Sequence, residues 1–146
     1  MATIFFYEKP GCINNTRQKV LLEAAGHQVI ARNLLTEAWT APRLQQFFGQ
    51  RPVAEWFNRS APQVKSGEVT PDHLDASTAL QLMVHNPLLI RRPLMQVGER
   101  CEMGFEVEHV EAWIGLTPIS DRDKEAHENL KNQDLQTCPQ TLKQHQ

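Results

Sequence analysis

Cys12 stands where a predicted first strand gives way to a predicted first helix, and it is the side chain in this sequence best placed for chemistry. A thiol at the start of a helix lies beside N–H groups that have no intrahelical acceptor and at the positive end of the helix dipole. Both features favour the thiolate, lower the thiol pKa and produce a nucleophile at neutral pH. The sequence therefore predicts Cys12 as the catalytic residue, with a buried and inert thiol as the alternative.

Polar side chains that follow Cys12 are suited to holding an anion beside it. Gly11 permits a tight turn before the helix. Helix N-termini bind oxyanions readily through their unpaired N–H groups. The candidate oxyanion-binding residues are Asn14, Asn15 and Thr16, and the first two are also candidates for the helix N-cap.

The segments on either side of this turn predict a βαβ unit. Residues 2–7 are β-branched and aromatic and predict a buried strand, and residues 28–33 predict a second strand. Between them, residues 14–25 carry apolar side chains at helical spacing, and Gly26 is expected to end the helix in a left-handed conformation. We expect the two strands to pair in parallel through a right-handed crossover.

The rest of the chain predicts a helical middle, a hairpin and a closing helix. Residues 34–90 are predicted to be mostly helical, and Thr70 with Pro71 is expected to start the last helix of that segment. The hairpin strands are predicted at 94–97 and 101–103, and the closing helix at 106–114. Apolar residues then become few, so residues 1–117 are predicted to form the domain and residues 118–146 a mostly disordered or loosely docked tail.

The composition is that of an ordinary globular protein. Hydrophobic residues make up 40% and charged residues 22% of the 146 residues, and a net charge of -2 gives no general attraction to nucleic acid or anionic membranes. No apolar stretch approaches the roughly 20 residues of a membrane span, and the N-terminus lacks the pattern of a signal peptide, which predicts a cytoplasmic protein. The cysteines and histidines show no metal-ligand spacing, so no metal site is expected.

Two motifs resemble the signatures of a known family. The segment YEKPGCINNT at residues 7–16 is similar to the N-terminal cysteine motif of the arsenate reductase (ArsC) family of glutaredoxin-linked enzymes, which also includes Spx-type transcription regulators. The segment MVHNPLLIRRPLM at residues 83–95 resembles the second signature of that family. The resemblance covers residues 2–113. Within it, WFNRSAPQVKSG at residues 56–67 is similar to a branch described as nitrogenase-associated proteins, whose members are found with nitrogen-fixation functions.

The resemblance implies an α/β protein with a thioredoxin-like fold. Its mixed sheet has the order βαβ … ββα and carries a helical insertion at about residues 34–90. Pro93 is then the cis-proline of the fold, and Arg92 pairs with the bound oxyanion, a role that suits a planar guanidinium. Arg59 is implied as a second anion-binding arginine, unless Asn58 occupies that position instead.

The same resemblance implies the chemistry of the thiols. Cys12 attacks the arsenic of a bound oxyanion or forms a mixed disulfide with glutathione. No tightly bound cofactor is implied, and glutathione or glutaredoxin is the expected partner that restores the thiol. Cys101 and Cys138 are candidate resolving thiols, with a core residue and a spectator thiol as the respective alternatives.

One position departs from the arsenate-reducing members, which carry an arginine after the final hairpin. Here Cys101 is followed by Glu102, and a carboxylate beside a trianion site adds repulsion. Two hypotheses therefore stand. The protein is a thiol-dependent oxidoreductase that uses Cys12, or a catalytically lapsed relative of one. Alternatively, it is a non-enzymatic accessory protein that binds nitrogen-fixation proteins or an oxyanion such as molybdate.

Overall fold

The structure, a computed structural model, describes residues 1–118, so that almost all of the tail predicted for residues 118–146 lies outside the described residues. The strands are β1 (Thr3–Glu8), β2 (Gln28–Asn33), β3 (Leu94–Val97) and β4 (Arg100–Met103). The α-helices are α1 (Ile13–Ala24), α2 (Ala41–Phe48), α3 (Pro62–Lys65), α4 (Ala76–His85) and α5 (Val107–Trp113). Short 3₁₀ helices span Val53–Trp56, Pro71–His73 and Pro87–Leu89.

The strands form one mixed sheet in the order β2–β1–β3–β4. β1 and β2 are parallel, as expected for two strands joined by one helix. β3 is antiparallel to both of its neighbours. Gly26 follows α1 with a φ of +89°, the left-handed conformation that was predicted. The predicted α/β, thioredoxin-like arrangement is confirmed, with α2, α3 and α4 inserted between the βαβ unit and the hairpin.

Each face of the sheet has its own hydrophobic core, because side chains alternate along a strand. The core shared with the helical insertion includes Tyr7, Leu34, Trp39, Phe47, Leu94 and Met103. The core shared with α1 and α5 includes Ile4, Phe6, Leu21, Met95 and Val110. The central strands are therefore covered on both faces, which leaves the ends of the strands as the place for a site. None of the described helices has the length and apolarity needed to cross a bilayer.

The helix predicted to start at Thr70 and Pro71 starts later, so that prediction was wrong. Those residues open only a short 3₁₀ turn. α4 begins at Ala76, after Asp75, whose carboxylate accepts the backbone N–H of Thr78 at 2.7 Å. This hydrogen bond holds the pKa of Asp75 below its ordinary value, because it favours the carboxylate. Asp is a preferred N-cap, and the cap decides where the helix begins.

The loop before β3 is tied to the loop after β4. The Gly104 N–H donates to the Pro93 carbonyl at 2.8 Å. A Cβ added at Gly104 would lie 3.0 Å from Nε of Arg91, and Gly104 has a φ of +76°, so glycine suits this contact on both counts. The Arg91 guanidinium also lies 3.4 Å from the Glu55 carbonyl and 3.9 Å from the Glu106 carboxylate. These contacts hold the segment that leads into β3.

Replacing Gly104 by alanine is expected to destabilise the fold more than the same change at Gly67. The two glycines have φ values of +76° and +84°, so both changes carry a left-handed backbone cost of about 1–2 kcal/mol. Only at Gly104 would the new Cβ also press on Arg91, since no described atom lies within 4 Å of a Cβ at Gly67. Urea denaturation gives both free energies of unfolding. Equal losses would contradict this account of the loop contact.

Candidate functional site

The structure brings the turn before Cys12 and the Arg92–Pro93 loop to the same end of the sheet. β1 ends at Glu8, just before the turn, and β3 begins at Leu94, just after the loop. Tyr7 is the partner of Leu94 across these two antiparallel strands. Because neighbouring strands lie about 4.8 Å apart, the turn and the loop emerge side by side.

The turn before Cys12 is closed by its own backbone. The Cys12 N–H donates to the Lys9 carbonyl at 3.1 Å. Pro10 and Gly11 occupy the two central positions, and Gly11 has a φ of +85°, as a type II turn requires. The turn ends at Cys12, which is the N-cap of α1.

Cys12 is buried, with 2% of its surface exposed, at a place that favours negative charge. The N–H of Thr16 donates to the Cys12 carbonyl at 3.1 Å. The N–H groups of residues 13–15 therefore have no acceptor within the helix and lie at the positive end of its dipole. This arrangement suits a thiolate or a bound oxyanion.

Arg92 is the buried charge of the site. It is 8% exposed, and its Nε and Nη1 atoms have no hydrogen-bond partner among residues 1–118. Arginine stays protonated in proteins, and a buried charge without a partner costs several kcal/mol. Two donor atoms of this guanidinium are therefore left for a bound oxyanion, which arginine recognises through charge-assisted hydrogen bonds.

Both chain neighbours of Arg92 are held in place. The peptide bond between Arg92 and Pro93 is cis, the isomer that the resemblance implies for this proline. The Arg91 N–H donates to the Trp56 carbonyl at 2.9 Å, and the Pro93 carbonyl accepts from Gly104. The guanidinium of Arg92 therefore projects from a backbone that hydrogen bonds hold on both sides.

Two of the three predicted oxyanion ligands turn their side chains elsewhere. Oδ1 of Asn15 accepts from the Lys9 N–H at 3.1 Å, and its Nδ2 donates to Oε1 of Gln18 at 3.0 Å. The hydroxyl of Thr16 donates to the Cys12 carbonyl at 3.1 Å. Both side chains are thus engaged within the fold, and their role as oxyanion ligands stays a prediction.

The predicted N-cap was wrong. Cys12 holds that position, and Asn14 and Asn15 lie in the first turn of the helix. The cause is the turn that closes on Cys12, which starts the helix earlier than the polar pattern indicated. Asn14 is 2% exposed, and its role as an oxyanion ligand stays a prediction.

Arg59, the predicted second anion-binding arginine, lies on the surface. Its side chain is 58% exposed and faces the Asp72 carboxylate at 3.8 Å. The alternative residue, Asn58, donates from its side chain to the Leu88 carbonyl at 3.2 Å and so joins two loops. Within the described residues, neither side chain is hydrogen-bonded to Arg92, and the anion-binding role of Arg59 stays a prediction.

Cys101 lies too far from Cys12 to resolve it within this fold. It is a free, half-buried thiol in β4, where it pairs with Gln96, which pairs in turn with Phe5. Two strand spacings place it about 10 Å from β1, and Cys12 lies beyond the opposite end of that strand. A disulfide needs Cα atoms about 6 Å apart. This register disfavours a resolving role for Cys101, and Cys138 lies outside the described residues.

Comparison with known proteins decides the family, because the sequence profile of the ArsC family matches residues 8–113. The chain belongs to the ArsC family. It is 49% identical over 145 residues to the uncharacterized 15.7 kDa protein in the draG 3′ region of Rhodospirillum rubrum, covering 99% of this chain and 94% of that protein. It is 20% identical over 113 residues to the global transcriptional regulator Spx 2 of Bacillus cereus, covering 76% of this chain and 86% of that protein.

Solved structures of ArsC-type proteins share the fold. The arsenate reductase from Vibrio cholerae superposes with a TM-score of 0.64 at 19% identity, covering 76% of this chain and 97% of that chain. An ArsC family related protein from Bacteroides fragilis superposes with a TM-score of 0.67 at 21% identity, covering 75% and 97%. At such low identities the likeness concerns the fold alone.

Glu102, which departs from the pattern of arsenate-reducing ArsC members, is paired with two neighbouring side chains. Its carboxylate lies 3.0 Å from Nε of Arg100 and 2.8 Å from Nε2 of His109. Its sheet partner is Met95, whose side chain packs in the core shared with α1 and α5. The repulsion expected from the sequence is therefore weaker, because Arg100 supplies a compensating positive charge.

Sequence reasoning missed two residues that support the loops of the site, Gln18 and Gly104. Gln18 is 0% exposed although it is polar, and it accepts the side-chain N–H of Asn15. The available signal was its place on the buried face of a helix that also carries Leu21 and Leu22. Gly104 carried a weaker signal, because a glycine after a hairpin is common and only the structure shows what it contacts.

The thiol of Cys101 is expected to react slowly in the folded protein. Burial raises the pKa of Cys101, an effect that Arg43 opposes and Glu102 reinforces. The unfolded chain then loses this proton first, so the contribution of Cys101 to stability is constant below about pH 8.5 and becomes unfavourable above it. In a Cys12→Ser, Cys138→Ser variant, iodoacetamide should label Cys101 more slowly in buffer than in urea at pH 8. Equal rates would contradict this prediction.

Proposed function

We propose that this ArsC-family protein is a cytoplasmic thiol-dependent oxidoreductase in which Cys12 attacks an oxyanion or a disulfide. Glutathione or glutaredoxin returns the thiol to its reduced form, and the protein acts in connection with nitrogen fixation. The observation that carries the proposal is the buried guanidinium of Arg92, which emerges beside the Cys12 turn with two donors that no described residue uses.

An oxyanion fits this arrangement better than a neutral substrate. A buried guanidinium is stabilised by a partner of opposite charge, and its planar fork matches two oxygens of one anion. The helix N-terminus at Cys12 supplies further N–H donors from the other side. An anion held between them has a thiol next to it, which is the geometry that nucleophilic attack needs.

The reaction with arsenate balances with one protein thiol and one external thiol. The Cys12 thiolate forms a sulfur–arsenic bond, and an arsenate oxygen leaves as water after protonation. A glutathione thiolate then attacks the Cys12 sulfur, the sulfur–arsenic bond breaks, and its electron pair stays on arsenic, which leaves as arsenite. The mixed disulfide that remains on Cys12 is reduced by thiol–disulfide exchange with glutaredoxin or glutathione.

The positions of the cysteines favour an external thiol for this last step. Cys101 lies across the sheet at the level of Phe5 and is buried enough to raise its pKa. A thiol with a raised pKa is a poor attacking group at neutral pH. Among the described residues, Cys101 is the only other cysteine and is poorly placed to attack the Cys12 sulfur, so a small soluble thiol can take that role.

Arsenate turnover should depend on both Cys12 and Arg92. In an assay with glutathione, glutaredoxin and NADPH-linked glutathione reductase, Cys12→Ser is expected to abolish NADPH consumption. Arg92→Lys is expected to lower kcat/KM by about 100-fold, because an ammonium group cannot make the bidentate contact that stabilises developing charge.

Cys101→Ser is the matched control for that assay, since it removes a thiol that lies away from the site, and it should retain turnover. The proposal fails if the parent protein consumes no NADPH above the protein-free rate, or if Arg92→Lys is as active as the parent.

The alternative function is a non-enzymatic accessory role in nitrogen fixation. The resemblance of residues 56–67 to nitrogenase-associated proteins favours it, and the name of the Rhodospirillum rubrum relative, which places it beside draG, agrees with it. Cys12 and Arg92 would then bind an oxyanion such as molybdate, or take part in a partner surface. The same charges serve either role, because molybdate is also a tetrahedral oxyanion.

The accessory role predicts a specific partner. Affinity capture from nitrogen-fixing cells, with the parent protein and Cys12→Ser as paired baits, should recover a nitrogen-fixation component. Recovery by neither bait would count against this role. Calorimetry with molybdate tests the oxyanion part separately, and the absence of heat would remove it.

A further inference from the structure

We infer that Asn15 is a positioning residue that holds the Cys12 turn against the first turn of α1 without touching substrate. The inference rests on the proposed function and adds to it the device that presents the thiol. From its type and position in the sequence, Asn15 was expected to bind an anion. Its hydrogen bonds to Lys9 and Gln18 indicate a structural role instead.

Asn15 fastens the turn from the helix side. Cys12 is the N-cap, which makes Asn15 the third residue of the helix. Its Oδ1 accepts the Lys9 N–H at 3.1 Å, while the Lys9 carbonyl accepts the Cys12 N–H at 3.1 Å. Both polar groups of the Lys9 backbone are thus engaged, one by the thiol residue and the other by the helix. The four-residue turn therefore cannot tilt without breaking one of these bonds.

Gln18 fixes the orientation of Asn15. The Asn15 amide donates from Nδ2 to Oε1 of Gln18 at 3.0 Å, one turn further along the helix. Asn15 is 1% exposed and Gln18 is 0% exposed. A buried amide hydrogen bond is costly to leave unmade, so Asn15 keeps its oxygen directed at Lys9. The resulting chain of contacts runs from Gln18 through Asn15 and Lys9 to Cys12.

This connection matters for chemistry because attack requires precise placement. Displacement of a nucleophile by about 1 Å can cost on the order of 100-fold in rate. The effect of the helix N-terminus also falls off within one turn. If the Lys9–Cys12 turn moves away from α1, the thiol loses both its orientation and its place at the end of the helix dipole.

The decisive experiment separates positioning from general stability. Asn15→Ala and Thr40→Ala are each made in a Cys101→Ser, Cys138→Ser background. Thr40 is the matched control, because its hydroxyl also accepts a backbone N–H at a helix start, that of Arg43 at 3.3 Å in α2. For each protein, urea denaturation gives stability and the pH dependence of iodoacetamide labelling gives the pKa of Cys12.

We expect the parent to show a thiol pKa well below 8.5 and Thr40→Ala to match it. Asn15→Ala should shift the profile toward 8.5 and slow labelling at pH 7 by at least about fivefold. A profile for Asn15→Ala that matches the parent, or an equal shift in Thr40→Ala, would overturn the inference while the proposed function stands.

An ordinary pKa in the parent would overturn the proposed function and, with it, this inference. If Asn15→Ala fails to fold, Gln18→Leu decides the question, since it keeps the Asn15–Lys9 contact and removes the acceptor that orients Asn15. It should shift the profile in the same direction by a smaller amount, and an unchanged profile would overturn the inference.

Discussion

The site depends on one buried positive charge, Arg92, two of whose hydrogen-bond donors have no partner among residues 1–118. The Arg92 guanidinium is buried, and burying a charged group without a full set of partners is unfavourable for the folded protein. The surrounding loops maintain it, since the carbonyl of Pro93 and the N–H of Arg91 are both hydrogen-bonded. An oxyanion bound at Arg92, as we propose, would relieve that cost and so link the stability of this segment to function.

Sheet topology explains why the loops that carry this charge and the thiol lie at the same end of the sheet. β1 and β3 are the two central strands and run antiparallel, so the end of one and the start of the other lie at the same edge. Cys12 follows the first and Arg92 precedes the second. The two faces of the sheet are closed by separate hydrophobic cores. The residues that carry chemistry therefore stand on loops, while the buried strands fix where those loops begin.

Periodicity predicted the strands and the helix α1, because those elements depend on apolar patterns repeated over many residues. It could not predict side-chain direction in the first turn of that helix. Asn15 and Thr16 have the right chemistry for an anion, but hydrogen bonds to Lys9 and Cys12 engage them. The exposed position of Arg59 could not be predicted for a related reason, because the sequence does not tell which side of a loop faces the site.

The central claim is that Arg92 holds an oxyanion beside Cys12, and calorimetric titration of arsenate into Cys12→Ser protein tests it most directly. The serine prevents covalent reaction and leaves the buried guanidinium unchanged. We expect one binding site, at least tenfold weaker binding after Arg92→Met, and no loss after Arg59→Met, because Arg59 is exposed and paired with Asp72. Equal affinity with and without Arg92, or a loss in the Arg59 variant alone, would contradict the account.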